Sequence, residues 1–332
     1  MNHRSTARRR KDGPMNLRTR GAALALAAPL ALGLLAGCGD DEPEPASSDT
    51  GTDASDPSPS PSEAPSSAPG DGPSSSPEES GAPSTEPGEP GATTAAPVYF
   101  TGDSPFGQRL YREFREVGSD NPLEEAAALL VAGDALDPDY GTLLNGVRIE
   151  AVAQEDGALV VTLAEDSVTS PDKSLSPADA RLAVQSLVYT LQGVAGSRLP
   201  VRVVLADGAP VDLLGQPTGD GVEAAKPLKV LALVSLTTPE EGATASGTLS
   251  VEGVASSFEA TVPFFVTDAS GSEVLRDFAT AEGWLDDLYP WSAEVDISSL
   301  APGEYVLHAM TDDPSGGEGP GPYEDTRTFT VG

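Results

Sequence analysis

Few side chains in this sequence could carry chemistry, and they lie far apart. Cys38 is the only cysteine, hence the only thiol nucleophile, and the two histidines are His3 and His308. A serine, threonine or cysteine nucleophile needs a base within hydrogen-bond reach. His308 falls in the middle of a strand-like run over 304–310, where a structural role fits it best. Two acid pairs, Asp286-Asp287 and Asp312-Asp313, occupy loop-like sequence. Calcium draws several oxygens to about 2.3–2.6 Å, and paired carboxylates can hydrolyse glycosides. Adjacent acids in so acidic a chain read first as solvated charge. No glycine-rich phosphate loop follows a strand. No catalytic residue, metal or cofactor is expected. The remaining candidate is the segment over 283–291, which holds both tryptophans and a tyrosine. Aromatics anchor interfaces and stack on sugars. Trp291, at a strand start, reads as core. Trp284 and Tyr289 divide between core and exposed contact, and are the expected partner-binding residues.

Cys38 ends an apolar run over 21–37 that follows the basic cluster Arg8-Arg9-Arg10-Lys11 and then Arg18 and Arg20. Basic, apolar and small-residue regions in that order read as a secretory signal, and the run is too short and too rich in small residues for a good permanent span. Leu35-Ala36-Gly37-Cys38 resembles the bacterial lipobox. That resemblance implies acylation of Cys38, cleavage before it, and a chain moored at the outer face of the cell membrane. An ordinary signal peptide is the alternative, and Met15 is a second possible start.

The chain carries 52 acidic against 19 basic residues, a net charge of −33, and removal of residues 1–37 takes mostly basic ones. Such a charge repels nucleic acid and anionic lipid headgroups. Once Cys38 is acylated no thiol remains for disulfides or metal binding, so apolar cores must hold the fold. Residues 38–96 contain no Lys, Arg, aromatic or large aliphatic residue. Such a segment cannot bury enough apolar surface to order itself. It is expected to be a disordered acidic tether, spanning roughly 40 Å as a coil and roughly 180 Å if extended.

Residues 97–221 alternate strand and helix signals. Strands are expected at 98–100, 110–117, 147–153, 158–163 and 199–205, with Asp156-Gly157 as a hairpin turn. One helix starts at Asn121-Pro122-Leu123-Glu124, with Asn as cap, and ends at Gly133; a second starts at Ser176-Pro177-Ala178-Asp179. In the second, Ala180, Val184, Leu187, Val188 and Leu191 form one apolar stripe. Two helices on a small, mostly antiparallel sheet follow, an α+β domain. Val98-Tyr99-Phe100, Leu129-Leu130 before Gly133, the run over 159–163, Leu187-Val188-Tyr189-Thr190-Leu191, and Val201-Arg202-Val203 with Asp207-Gly208 resemble the GerMN domain. The resemblance implies an envelope module thought to mediate assembly, and carries over no catalytic residue.

Residues 227–332 lose the helix signals. Strands are expected at 229–237, 246–253, 258–267, 292–297, 304–310 and 326–331, spaced as in an immunoglobulin-like sandwich without its cysteine pair. Gly253-Val254-Ala255 followed by the run over 258–262 resembles the Gmad2 domain, an immunoglobulin-like module often found behind GerMN. The Gly- and Pro-rich stretch over 312–325 departs from that pattern.

The expected function is a lipid-anchored, non-catalytic binding or scaffold protein of the cell envelope, germination-protein-like in its domains, whose partner is another envelope protein. Binding of cell-wall glycan through Trp284 and Tyr289, and regulation of a membrane sensor kinase, are the competing readings.

Overall fold

The computed structural model describes residues 91–313 and 317–332. The expected signal segment, Cys38 and the tether up to residue 90 lie outside the described residues.

The first module opens with a long hairpin. β1 (Thr93–Gly102) pairs antiparallel with β2 (Arg109–Gly118) in unbroken register from Thr93↔Gly118 to Gly102↔Arg109. β1 therefore begins four residues before the expected domain start, and Ala96, drawn into the tether, is buried. α1 (Pro122–Ala132) ends at Gly133 in the left-handed region, as glycine permits at a helix end. Its start corrects one expectation. Asn121 makes no side-chain cap; Pro122 opens the first turn, with Glu124 and Glu125 in it. The two-residue β3 (Tyr140–Gly141) adds to the free edge of β1. β4 (Ile149–Glu155) and β5 (Ala158–Leu163) form the second hairpin. α2 (Pro177–Ala195) is capped by Ser176, whose hydroxyl accepts from the Asp179 amide at 3.1 Å. It returns the chain so that β6 (Val201–Leu205) lies parallel to β5.

The expected single sheet is thus two three-stranded sheets, β2-β1-β3 and β4-β5-β6. Phe100, Leu130, Leu159, Leu163, Leu187 and Leu191 fill the core between sheets and helices. α2 is buried from Leu182 through Gln192, more than one stripe. A helix apolar on one stripe is covered on one side; one buried all round has a second cover. That cover is the connection between the modules. Gln185 Nε2 donates to the Glu223 carbonyl at 3.1 Å, and its Oε1 accepts from the Ala225 amide at 2.7 Å. Tyr189 Oη donates to the Ala225 carbonyl. Leu110, Leu182, Tyr189 and Val230 form a small core beneath this strap.

The second module does not start as a strand at 229. Pro227 begins a short helical turn, α3 (Pro227–Val230), and the strand β7 (Val234–Thr238) follows. A proline at the first helical position has its φ preset for that turn. β9 (Thr248–Ala255) lies between β7 and β12 (Tyr289–Asp296) in one sheet. The other contains β8 (Ala243–Ala245), β10 (Thr261–Asp268), β11 (Glu273–Thr280), β13 (Gly303–Met310) and β14 (Glu324–Val331), in the order β11-β10-β13-β14-β8. β11 was not expected. Only two of its eight residues escape exposure, half-buried Leu275 and buried Ala279, so the apolar alternation that marks a half-buried strand is missing at this edge. Phe264, Val266, Trp291, Leu307 and Phe329 lie in the core between the sheets. The two modules belong to one compact unit.

Candidate functional site

Trp291 is core, as expected, with 4% exposure. Its ring stacks on Phe264 at 6.4 Å between centroids. It also lies over Gly253, its partner on β9, where an added Cβ would meet the Ser235 carbonyl oxygen at 2.5 Å and the indole at about 3 Å. Glycine is required at this crossing because no side chain fits.

Trp284 and Tyr289 are half-buried and pack against the edge of the same core. Tyr289 leans on Gly283 and donates to Asp286 Oδ1 at 2.7 Å. Its hydroxyl is engaged within its own loop. Trp284 meets the ring of Phe258 edge-on at 5.2 Å. Together they line a groove of about 460 Å³ with Leu285, Tyr323, Leu228 of the connection and Phe106 of the first module. Phe106, in the turn between β1 and β2, stacks on Tyr323 at 5.3 Å. Phe106, Phe258 and Leu285 are 55%, 42% and 68% exposed. Leu285 also has φ 85°, a backbone region unfavourable for a bulky side chain and one that recurs at functional sites. Exposed apolar residues thus cluster in one groove, one of them with a left-handed backbone. Tyr289 does not line this groove; Trp284 does.

Among the described residues no three His, Cys, Asp or Glu side chains converge as a metal-ligand set. Asp286 serves Tyr289, and Asp287 accepts from the Leu288 amide. His308 has more partners than its strand position suggested. Nδ1 meets Glu324 Oε1 at 2.7 Å, Nε2 meets Thr267 Oγ1 at 3.1 Å, and the ring stacks on Phe265 at 4.4 Å. An acid, an imidazole and a hydroxyl in line is the order of a nucleophilic triad. Yet Thr267 is itself buried, at 8% exposure, and a nucleophile must be reachable. The three come from adjacent strands β10, β13 and β14, a cross-strand polar ladder.

The residues that fix the groove were not singled out in the sequence. Between the modules lies a buried ionic cluster. Arg327, on β14, forms an ion pair with Asp137 of the loop after α1, meets Asp325 Oδ1 at 3.3 Å and Tyr140 Oη at 3.0 Å, and donates to the Leu236 carbonyl at 3.1 Å. Tyr140 donates to Asp325 Oδ1 at 2.5 Å, and Asp325 Oδ2 accepts from the Leu236 amide at 2.6 Å. Glu113 of β2 holds the loop by accepting from the Leu136 and Asp137 amides. Burial pushes the Asp137 carboxyl up to about 7 against the pull of Arg327, and pushes Asp325 up as well. Burial opposes the charge on Arg327, but Asp325, Tyr140 and Asp137 outweigh it and hold the guanidinium protonated. The like charge of Asp325 adds to the upward push on Asp137. Further contacts join the modules at Ala232, whose amide donates to the Leu110 carbonyl at 2.9 Å, and at Arg112, which donates to Thr237 at 3.1 Å. The signal for the cluster was legible in one place: Asp325 and Arg327 fall on the same face of β14 as the core residues Phe329 and Val331, so both charges point inward.

Residues 97–212 match the family model named Germane, described as sporulation and spore germination. Residues 233–318 match the Gmad2 model, described as the immunoglobulin-like domain of bacterial spore germination. The chain has germination-protein-like domain content. Trp284 lies inside the Gmad2 match, whereas Asp325, Arg327 and the connection over 213–232 lie outside both matches. No curated protein matches the chain. Among solved structures, the tandem GerMN domains of the sporulation protein GerM from Bacillus subtilis are similar at 14% identity with a TM-score of 0.32; 62% of this chain is covered, and it spans 62% of that chain's length.

Proposed function

We propose that this chain is a lipid-anchored, non-catalytic scaffold of the bacterial cell envelope that binds another envelope protein in the Trp284 groove. The carrying observation is the groove itself. Phe106 of one module and Phe258, Trp284 and Leu285 of the other share it. Neither module alone presents that surface, and the buried cluster around Arg327 fixes their arrangement. A rigid, exposed aromatic surface is what an interface hot spot needs. The anchor is Cys38, on the strength of Leu35-Ala36-Gly37-Cys38 after an apolar run. Cys38→Ser should move the protein from the membrane fraction to the medium or the soluble envelope fraction; unchanged fractionation contradicts the anchor.

A second reading is binding of cell-wall glycan. Ser256 and Asp312 border Trp284 in the groove, and sugars are bound by such polar groups beside an aromatic ring. Sedimentation with purified cell walls, abolished by Trp284→Ala, would favour the glycan over the protein partner.

A further inference from the structure

A second cleft shares Phe106 with the aromatic groove. It encloses about 610 Å³ between the turn before β2, the first half of α2 and the connection over 222–230. That volume falls in the range of small-molecule sites, about 300–1,000 Å³. Its wall is apolar along Leu182, Val184, Val222 and Val230.

The charge of its lining runs against that of the chain. Three cations, Arg109, Arg181 and Lys229, border the cleft with one carboxylate, Asp179, in a sequence with 52 acids and 19 bases. Asp179 is already engaged, accepting from Ser176 Oγ at 2.7 Å at the start of α2. None of the three cations is in an ion pair among the described residues. Arg109 donates one guanidinium nitrogen to the Lys229 carbonyl. Its Nε is shielded from solvent without a hydrogen-bond partner in the protein. A buried donor left unpaired is costly unless something completes it.

We propose that this cleft binds an amphipathic anion, a carboxylate or phosphate head on an apolar body. Arg109, Arg181 and Lys229 receive the head, and Leu182, Val184 and Val230 receive the body. Charge-assisted hydrogen bonds from a guanidinium fork suit either head. The cleft is distinct from the aromatic groove, so this reading stands or falls apart from the proposed scaffold role.

The test is an amide chemical-shift titration of the full chain carrying Cys38→Ser, with octanoate, octyl phosphate and the neutral octyl glucoside as separate probes. Saturable shifts confined to 178–185, 106–109 and 222–230 are expected with an anionic probe, and weaker binding as ionic strength rises. The stronger of octanoate and octyl phosphate identifies the head group. Arg181 and Lys229 are exposed, so Arg181→Glu with Lys229→Glu should keep the native spectrum and raise the dissociation constant about tenfold or more. No saturable shift with either anion, equal binding of octyl glucoside, or full binding by the double variant would overturn the proposal.

Discussion

Arg327 and Asp137 are 190 positions apart in the chain and form an ion pair in which the side chains are only 4% and 2% exposed. One belongs to the last strand and the other to the loop behind the first helix. The contact therefore ties the end of the second module to the first. Breaking a buried pair by removing one partner leaves an uncompensated charge, at about 3–5 kcal/mol. Arg327→Met strands both Asp137 and Asp325. Urea unfolding should show a loss of that size at about pH 8, and a smaller one at about pH 5, where the abandoned carboxyls take up protons. Equal stability to the parent protein would mean that the cluster does not join the modules.

Asp137 makes the parent protein pH-sensitive as well. Its carboxyl titrates at about 7 when folded, against an ordinary 3.8. The folded state therefore holds a proton that the unfolded chain releases. The stabilisation from that proton is complete below the ordinary value and is lost as pH rises through about 7. Stability should fall across this window, and Asp137→Asn should flatten the slope there. Equal slopes in both proteins would place the titrating proton elsewhere.

Gly253 is a steric requirement, since a methyl group there has only 2.5 Å to the Ser235 carbonyl oxygen and about 3 Å to the Trp291 ring. Gly253→Ala should destabilise the protein by about 1–3 kcal/mol, the usual cost of overpacking. Its thermal midpoint should drop.

The two tryptophans separate structure from binding. Trp291→Ala empties a core position and should cost about 3–5 kcal/mol. Trp284 is half-buried, so Trp284→Ala should cost less than half of that while abolishing partner capture. Chemical unfolding and co-purification on the two variants check the pair of outcomes.

What could be read from the sequence follows from which forces are local. Ser176-Pro177 and Asp156-Gly157 announce their cap and turn because a few neighbouring residues decide the backbone there. Trp291 was legible as core from its place at the start of a strand. β11 was not, because an edge strand with little buried surface carries no alternation. The split of one sheet into two depends on which hairpin edges meet, which no local pattern encodes. Of the Arg327 cluster only the two inward charges of β14 were legible, for a related reason. Asp137 reads as a loop acid beside Pro138, and only the docking of β14 gives it a partner. The groove was half visible: Trp284 stood out by type, whereas Phe106 joins it from the other module through a stack on Tyr323.

In the proposed role, the two modules act as one surface that holds an envelope protein at Trp284. A photoreactive residue at Leu285, 68% exposed at the rim of the groove, tests it in intact cells, with crosslinked products identified by mass spectrometry. The account predicts one dominant envelope protein crosslinked from Leu285, lost in Trp284→Ala and in Phe106→Ala while the variants stay folded and membrane-bound. Crosslinks that persist in both variants, or none from this position, would contradict it.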